Sequence, residues 1–271
     1  MKRKRRARKK RKKTKKRKKL GEKEYIKTGI KGLDVLLEKG IPKGSSVLIA
    51  GGAGSGKTLL CLQILANAAR EGKKCLYMSF EESEEKLKQH MRDFKWNPEE
   101  LEKKKKLVIK RFSIFDVARA IDALMAKEKG ELLIDFEPII LPEGFKPDLI
   151  VVDSLTAIAS AFIGKKESYR AYIEQLFRFF EKLRATSFLI TETEQEPRIF
   201  SPTGVEEFLA DGVIVLYHIR RGNIREHGIE VLKMRGSKHK KKIVPMKIIS
   251  GKGIEVYPEQ EIFAGLEGKP I

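Results

Sequence analysis

The run Gly51-Gly52-Ala53-Gly54-Ser55-Gly56-Lys57-Thr58 stands between a β-type apolar stretch at residues 46–50 and a helix-type stretch at residues 59–70. Strand, glycine-rich turn and helix in that order restrict the fold strongly, because the helix must pack back onto the sheet that the strand belongs to. Glycines let successive backbone N–H groups turn inward around phosphate oxygens, and the following helix aims its positive end at the same place. A lysine then reaches β- and γ-phosphates, and a threonine hydroxyl is suited to Mg²⁺. The run therefore reads as a P-loop. Gly52, Gly54, Ser55, Gly56, Lys57, Thr58 and Leu59 are its candidate nucleotide-binding positions. A glycine turn without a ligand is the competing reading, disfavoured by the completeness of the match.

Downstream, strand and helix alternate. Residues 74–80 predict a short buried strand, 84–94 a helix, 107–111 a strand and 114–127 a helix. Residues 149–152 form an all-apolar strand that ends in Asp153, and 168–186 a long amphipathic helix with Tyr172, Leu176, Phe179, Phe180 and Leu183 on one side. That helix leads into a strand at 187–191. Fully apolar strands separated by helices imply an α/β fold, a parallel sheet covered on both faces. Beyond Gly212 the pattern changes to strands at 213–218, 228–233, 243–249 and 253–257 without intervening helices, which would extend the sheet with antiparallel neighbours. Residues 132–147 read as a loop or short hairpin. The expected organisation is one domain over residues 24–259, followed by a tail at 260–271.

Charge is unevenly placed. Every residue from 2 to 19 is Lys or Arg except Ala7 and Thr14, so 16 of the +21 net charges lie there and +5 belongs to the rest. A like-charged block of that density cannot collapse, so residues 1–20 are expected to be disordered. Three readings stay open: a basic arm for nucleic acid or another polyanion, a solvated tail, or a misplaced start with Leu20 as the true first residue. No stretch approaches the roughly 20 apolar residues that cross a bilayer, and no signal-peptide core is present, so a cytoplasmic protein without membrane contact is expected. Cys61 and Cys75 imply no disulfide framework.

Three further groups could do chemistry. Asp153, ending its strand, is placed to orient Mg²⁺ and its waters; the alternative is a helix cap. Glu81 and Glu82 follow the strand read as next to the P-loop strand and can align and deprotonate an attacking water; the alternative is that Glu82-Ser83 merely opens a helix. Lys233 and Arg235, two apart, point to one side of their strand. Alone they read as a solvated face, but phosphoryl transfer also needs cations, often an arginine from a neighbouring chain.

Taken together, these motifs resemble the KaiC-like branch of the RecA superfamily of ATPases. The resemblance runs from Thr28-Gly29-Ile30-Lys31-Gly32-Leu33-Asp34 and Gly40-Ile41-Pro42-Lys43-Gly44 through the P-loop, Phe80-Glu81-Glu82-Ser83 and Asp153-Ser154-Leu155. It continues through Ala210-Asp211-Gly212-Val213-Ile214 to Lys233-Met234-Arg235-Gly236-Ser237 and His239. It implies a RecA-like P-loop NTPase core, ATP and Mg²⁺ as cofactors, and assembly into a homo-oligomeric ring, hexameric by the family pattern. It also implies Lys57, Glu81 and Glu82 as catalytic groups, with Thr58 and Asp153 at the metal. Lys233 and Arg235 would act in trans on the next subunit's phosphates, with Ser237 and His239 near its nucleotide. The clock protein that names the family has two tandem ATPase domains, whereas one is read here. Its phosphorylated hydroxyl pair would fall on Glu207 and Phe208, which cannot accept phosphate, so no autokinase activity is expected.

The leading expectation is an Mg²⁺-dependent ATPase that serves a protein client the fold does not name. The alternatives are a recombinase-like nucleic-acid binder and a slow-turnover, nucleotide-gated scaffold. The loop Glu192-Thr193-Glu194-Gln195-Glu196 is acidic where a recombinase would meet phosphate, and Lys165-Lys166 is the basic pair of the other candidate loop. Deletion of residues 1–20 is expected to abolish most low-salt DNA or RNA binding and to leave ATP hydrolysis nearly intact. Salt-insensitive DNA binding by the truncated chain, read by titration across ionic strengths, would overturn this.

Overall fold

The computed structural model describes residues 23–117, 119, 141–162, 164, 166–195, 197 and 199–262. In chain order the first half contains β1 (Tyr25–Ile26), α1 (Lys31–Leu36), β2 (Ile41–Pro42), β3 (Ser46–Gly51), α2 (Lys57–Arg70), β4 (Cys75–Ser79), α3 (Glu84–Asp93), α4 (Pro98–Lys103) and β5 (Leu107–Arg111). The second contains β6 (Leu149–Asp153), α5 (Leu155–Ser160), α6 (Lys166–Leu183), β7 (Thr186–Glu192), α7 (Val205–Leu209), β8 (Gly212–Arg221), β9 (Ile224–Met234), β10 (Val244–Ile249) and β11 (Gly253–Val256).

β3, β4 and β6 are buried at every residue, as strands covered on both faces must be. They lie inside a nine-stranded sheet of order β11-β10-β9-β8-β3-β7-β6-β4-β5. The pairs from β8 through β5 are parallel, and β8–β9, β9–β10 and β10–β11 are antiparallel. This is the expected α/β sheet with its antiparallel extension. Alternate residues of β3 feed two cores: Val47 and Ile49 pack with Leu33, Leu60, Leu87 and Leu101 of α1 to α4, and Leu48 and Ala50 pack with Ile158, Tyr172 and Phe180 of α5 and α6.

The differences from the expected elements have local causes. α6 starts at Lys166 and stops at Leu183, because Arg184 takes a left-handed φ of 55° that no helix continues through. β8 and β9 run well past His218 and start well before Gly228, meeting at a Gly222-Asn223 turn. Their tip carries Arg220, Arg225 and Glu226, so the apolar alternation that marks a half-buried strand is missing there. Most consequentially, β4 is not beside the P-loop strand: β7 and β6, both later in the chain, stand between β3 and β4. Outside the described residues lie the basic segment 1–20, most of the helix expected over 114–127, residues 132–140, Lys165, Glu196 and the tail from 263 onward. No helix among the described residues is long and apolar enough to cross a membrane. Cys61 and Cys75 are free and buried, and burial pushes the Cys75 thiol up to about 12.

The end of the sheet is tied to the P-loop helix by one side chain. Gln63 on α2 accepts the Ile254 N–H through Oε1 at 2.7 Å and donates through Nε2 to the Ile254 carbonyl at 3.2 Å. That caps the outer edge of β11, which pairs with β10 alone. Gln63→Leu keeps the apolar volume and orphans two buried backbone groups, each costing about 1–3 kcal/mol. It is expected to lower Tm by at least about 4 °C, at about 2–4 °C per kcal/mol for a chain of this size. An unchanged Tm in calorimetry would show that the edge holds without Gln63.

Candidate nucleotide site

The P-loop leaves β3 at a position where only glycine fits: a Cβ on Gly51 would stand 2.5 Å from the Leu216 carbonyl oxygen of β8. The loop ends on Gly56, whose φ of 97° again suits glycine. α2 begins at Lys57 with no capping side chain, so its first-turn N–H groups are left for a ligand. Ser55 Oγ is buried without a partner. These are features of an anion cradle rather than of a plain turn.

Lys57 is 7% exposed, and its Nζ donates to the carbonyls of Gly51 and Gly52 at 2.9 and 3.0 Å. Burial lowers its pKa, while Glu192, Asp153 and Glu81 oppose that shift. Thr58 and Asp153 are brought together from α2 and β6: Thr58 Oγ1 donates to Asp153 Oδ2 at 3.0 Å. The Tyr77 hydroxyl of β4 donates to the same oxygen. Burial raises the Asp153 carboxyl to about 6, against the downward pull of the Tyr77 and Thr58 hydrogen bonds and with a further upward push from Glu81 and Glu82.

Glu81 and Glu82 follow β4, two strands beyond β7 in the sheet, yet both line the same cavity as the P-loop. Its volume is about 410 Å³, and its walls include Gly54, Lys57, Thr58, Glu81, Glu82, Asp153 and Glu192. The intervening strands therefore do not remove the carboxylates from the site. β6 ends in Asp153 between them and the loop, and the Asp153–Ser154 peptide is cis. Ser154 Oγ donates to Glu81 Oε1 at 2.5 Å and accepts the Ala157 N–H at 3.1 Å, so the cap of α5 also holds Glu81. Glu82 pairs with Lys86 at 3.2 Å, its N–H donates to Ser79 Oγ, and Ser83 caps α3 through Lys86 N–H at 3.3 Å. Ser83 thus opens a helix, and the same segment places both glutamates in the cavity wall.

Lys233 and Arg235 are elsewhere. Gly212 pairs with Val47 at the start of β3 and with Met234 on β9, whereas Gly51 pairs with Leu216. The two cations thus lie at the opposite end of β3 from the P-loop, with about 13 Å of strand between. Lys233 Nζ donates to the carbonyls of Glu207 and Ala210 at 2.8 and 2.6 Å, and Arg235 donates to the Phe208 carbonyl at 2.9 Å. Their shared side is confirmed, and it faces α7. The Asp211 carboxylate accepts the Ser46 N–H at 3.1 Å, and its carbonyl accepts the Arg235 N–H at 2.7 Å, which fixes this corner against β3. Ser237 Oγ donates to the Lys238 carbonyl, and both His239 nitrogens are buried without hydrogen-bond partners. None of these four residues lines the cavity.

Sequence reasoning missed Tyr77, Ser154 and His90, the last of which lines the cavity. A tyrosine in an apolar strand reads as core, and Ser154 after Asp153 reads as a cap, which it also is. Among the described residues no cluster of three or more His, Cys, Asp or Glu could cage a metal. The donors present, one hydroxyl and one buried carboxylate, suit Mg²⁺ that keeps waters and takes its other ligands from phosphate.

The family profile described as "ATPase: KaiC" matches residues 26–261. The "Circadian clock protein KaiC3" of Synechocystis sp. is 33% identical over 87% of this chain and 46% of its own length. A "UPF0273 protein" of Thermotoga maritima is 31% identical over 87% of this chain and 96% of its own length. This chain thus spans about half the length of the clock-protein relatives. The crystal structure of a KaiC-like protein from Pyrococcus horikoshii OT3 superposes with a TM-score of 0.70 at 30% identity, covering 88% of this chain and 100% of that one.

A carboxyl raised from 3.8 to about 6 stays protonated in the folded chain where the unfolded chain has already lost the proton. Stability contributed by this group therefore falls as pH rises from about 4 to 6, by roughly 3 kcal/mol, unless a cation compensates the charge. In an NMR titration without nucleotide, Asp153 is expected to titrate near 6 and, in Tyr77→Phe, higher still. A wild-type midpoint at the ordinary aspartate value would contradict the burial argument.

Proposed function

The chain belongs to the KaiC family of ATPases, and on that premise we propose that it hydrolyses ATP with Mg²⁺ in a site completed by the next copy of itself in a hexameric ring. The working unit is one ATPase domain of about residues 24–259. The observation that carries this reading is the separation of the two cationic groups: Lys57 lines the cavity at one end of β3, and Lys233 and Arg235 stand at the other. One chain cannot bring both to a single triphosphate, whereas a neighbour placed head to tail can.

In this reading the P-loop N–H groups and Lys57 hold the phosphates, and Thr58 and Asp153 hold Mg²⁺. The bound metal would neutralise charge developing on the phosphate oxygens. Glu81, held by Ser154, accepts the proton of the attacking water. Glu82 sets the field around it, held by Lys86. Arg235 and Lys233 of the adjacent copy stabilise the transferring phosphoryl group, with Ser237 and His239 of that copy beside the nucleotide.

Glu81→Gln and Arg235→Ala are each expected to lose ATP hydrolysis, on the order of a thousandfold for Arg235→Ala, while binding nucleotide normally. When the two variants are co-assembled, about a quarter of the interfaces combine an intact Glu81 with an intact Arg235, so about a quarter of wild-type turnover should return. A mixture as inactive as its components would rule out the shared site. Hydrolysis unaffected by either substitution would favour the scaffold.

A further inference from the structure

Resting on that reading, we infer that Glu206 and Tyr169 are positioning residues for the trans-acting cations, and that α7 is the seat from which Lys233 and Arg235 reach the next subunit. The seat is built from three backbone carbonyls. Lys233 bonds those of Glu207 and Ala210, and Arg235 bonds that of Phe208, so the headgroups follow wherever the C-terminal turn of α7 goes.

α7 has little of its own to hold it. It is five residues long, and its one fully buried side chain is a carboxylate, Glu206. Phe208 points the other way and is 78% exposed. Its apolar hold is confined to the C-terminal end, where Leu209, half-buried, and the capping Ala210 pack on the core. Two hydroxyls add an anchor at Glu206. Tyr169 of α6 donates to Glu206 Oε1, and Thr203 Oγ1 donates to Oε2 at 2.9 Å. Glu207 adds a second tie outside the core, accepting from the Phe200 N–H and from Ser201 Oγ. Both Glu206 oxygens are thereby paired, and removing a hydroxyl leaves a buried polar atom without a partner. Tyr169 in turn is fixed by its place on α6 and by its edge contact with Phe162, at 5.2 Å between ring centres.

The chain of contacts is therefore continuous from the core on one face of the sheet, through Tyr169 and Glu206, to the carbonyls under Lys233 and Arg235. A shift of about 1 Å in such a group is enough to cost on the order of a hundredfold in rate. Tyr169, Glu206, Lys233 and Arg235 do not line the chain's own cavity, so the loss should fall on one half of the site.

The test uses the full chain and co-assembly. Glu206→Ala and Tyr169→Phe are expected to lower kcat for ATP tenfold or more, with KM and nucleotide binding unchanged, and Glu206→Gln, which still accepts from Tyr169, to restore most of kcat. Co-assembled with Glu81→Gln, Glu206→Ala should become more active than it is alone, because its intact P-loop half meets an intact cation half. Co-assembled with Arg235→Ala it should become less active, because both lack the same half. A subunit that is merely unstable lowers both mixtures, and a defect in the P-loop half reverses the two results; either outcome overturns the inference. If Glu81→Gln and Arg235→Ala themselves fail to complement, the shared site falls and takes this inference with it. If they complement and Glu206→Ala shows the wrong polarity, this inference falls alone. Tyr169→Phe repeats the same pair of mixtures should Glu206→Ala not fold.

Discussion

β3 is buried at all six residues and hydrogen-bonded to parallel neighbours on both sides, so polar function is confined to its two ends. At one end the chain must turn sharply past the Leu216 carbonyl, and Gly51 permits it. At the other, Ser46 exchanges backbone and side-chain hydrogen bonds with Asp211, which also holds the backbone of Arg235. The length of this one strand therefore sets the distance between phosphate cradle and outlying cations. Register does the rest. Gly51 lies opposite Leu216 and Val47 opposite Gly212, and the antiparallel return of β9 carries Lys233 to the lower end without any loop having to choose it.

Much of this was legible in the sequence because it is local. The P-loop, the apolar strands and the amphipathic face of α6 are set by neighbours within a few residues, and periodicity reports such neighbours directly. The position of β4 was not legible, since the insertion of β6 and β7 between β3 and β4 depends on crossovers that leave no mark on the strands themselves. Short helices were equally silent. α7 has one buried side chain, Glu206, which in a sequence reads as surface. The same holds for Tyr77: nothing in the stretch Cys75–Ser79 separates a core tyrosine from one that donates to Asp153. Of the motif positions, Thr28 and Asp34 turn out to staple the approach to α1, with Asp34 accepting from Thr28 and Gly29, so a shared motif marks fold as well as chemistry.

The two halves of the proposed site have one physical property in common. Lys57 rests on the carbonyls of Gly51 and Gly52, and Lys233 and Arg235 rest on those of α7. Carbonyls are neutral acceptors, and an anionic oxygen makes a bond about twice as strong to the same cation. Each cation is thus held in place without being tied to a counter-ion that a phosphate would have to displace. Asp153 shows the converse. Buried and raised to about 6, it carries a charge that its surroundings do not fully compensate, and it gains most from an added cation. The carboxylate of Glu206 is the contrast within the same molecule, since its two hydroxyl donors leave it nothing to gain from a ligand. Groups that exchange partners on binding and groups that stay fixed are thereby separated by chemistry: the former lean on carbonyls or lack compensation, and the latter are satisfied within the fold.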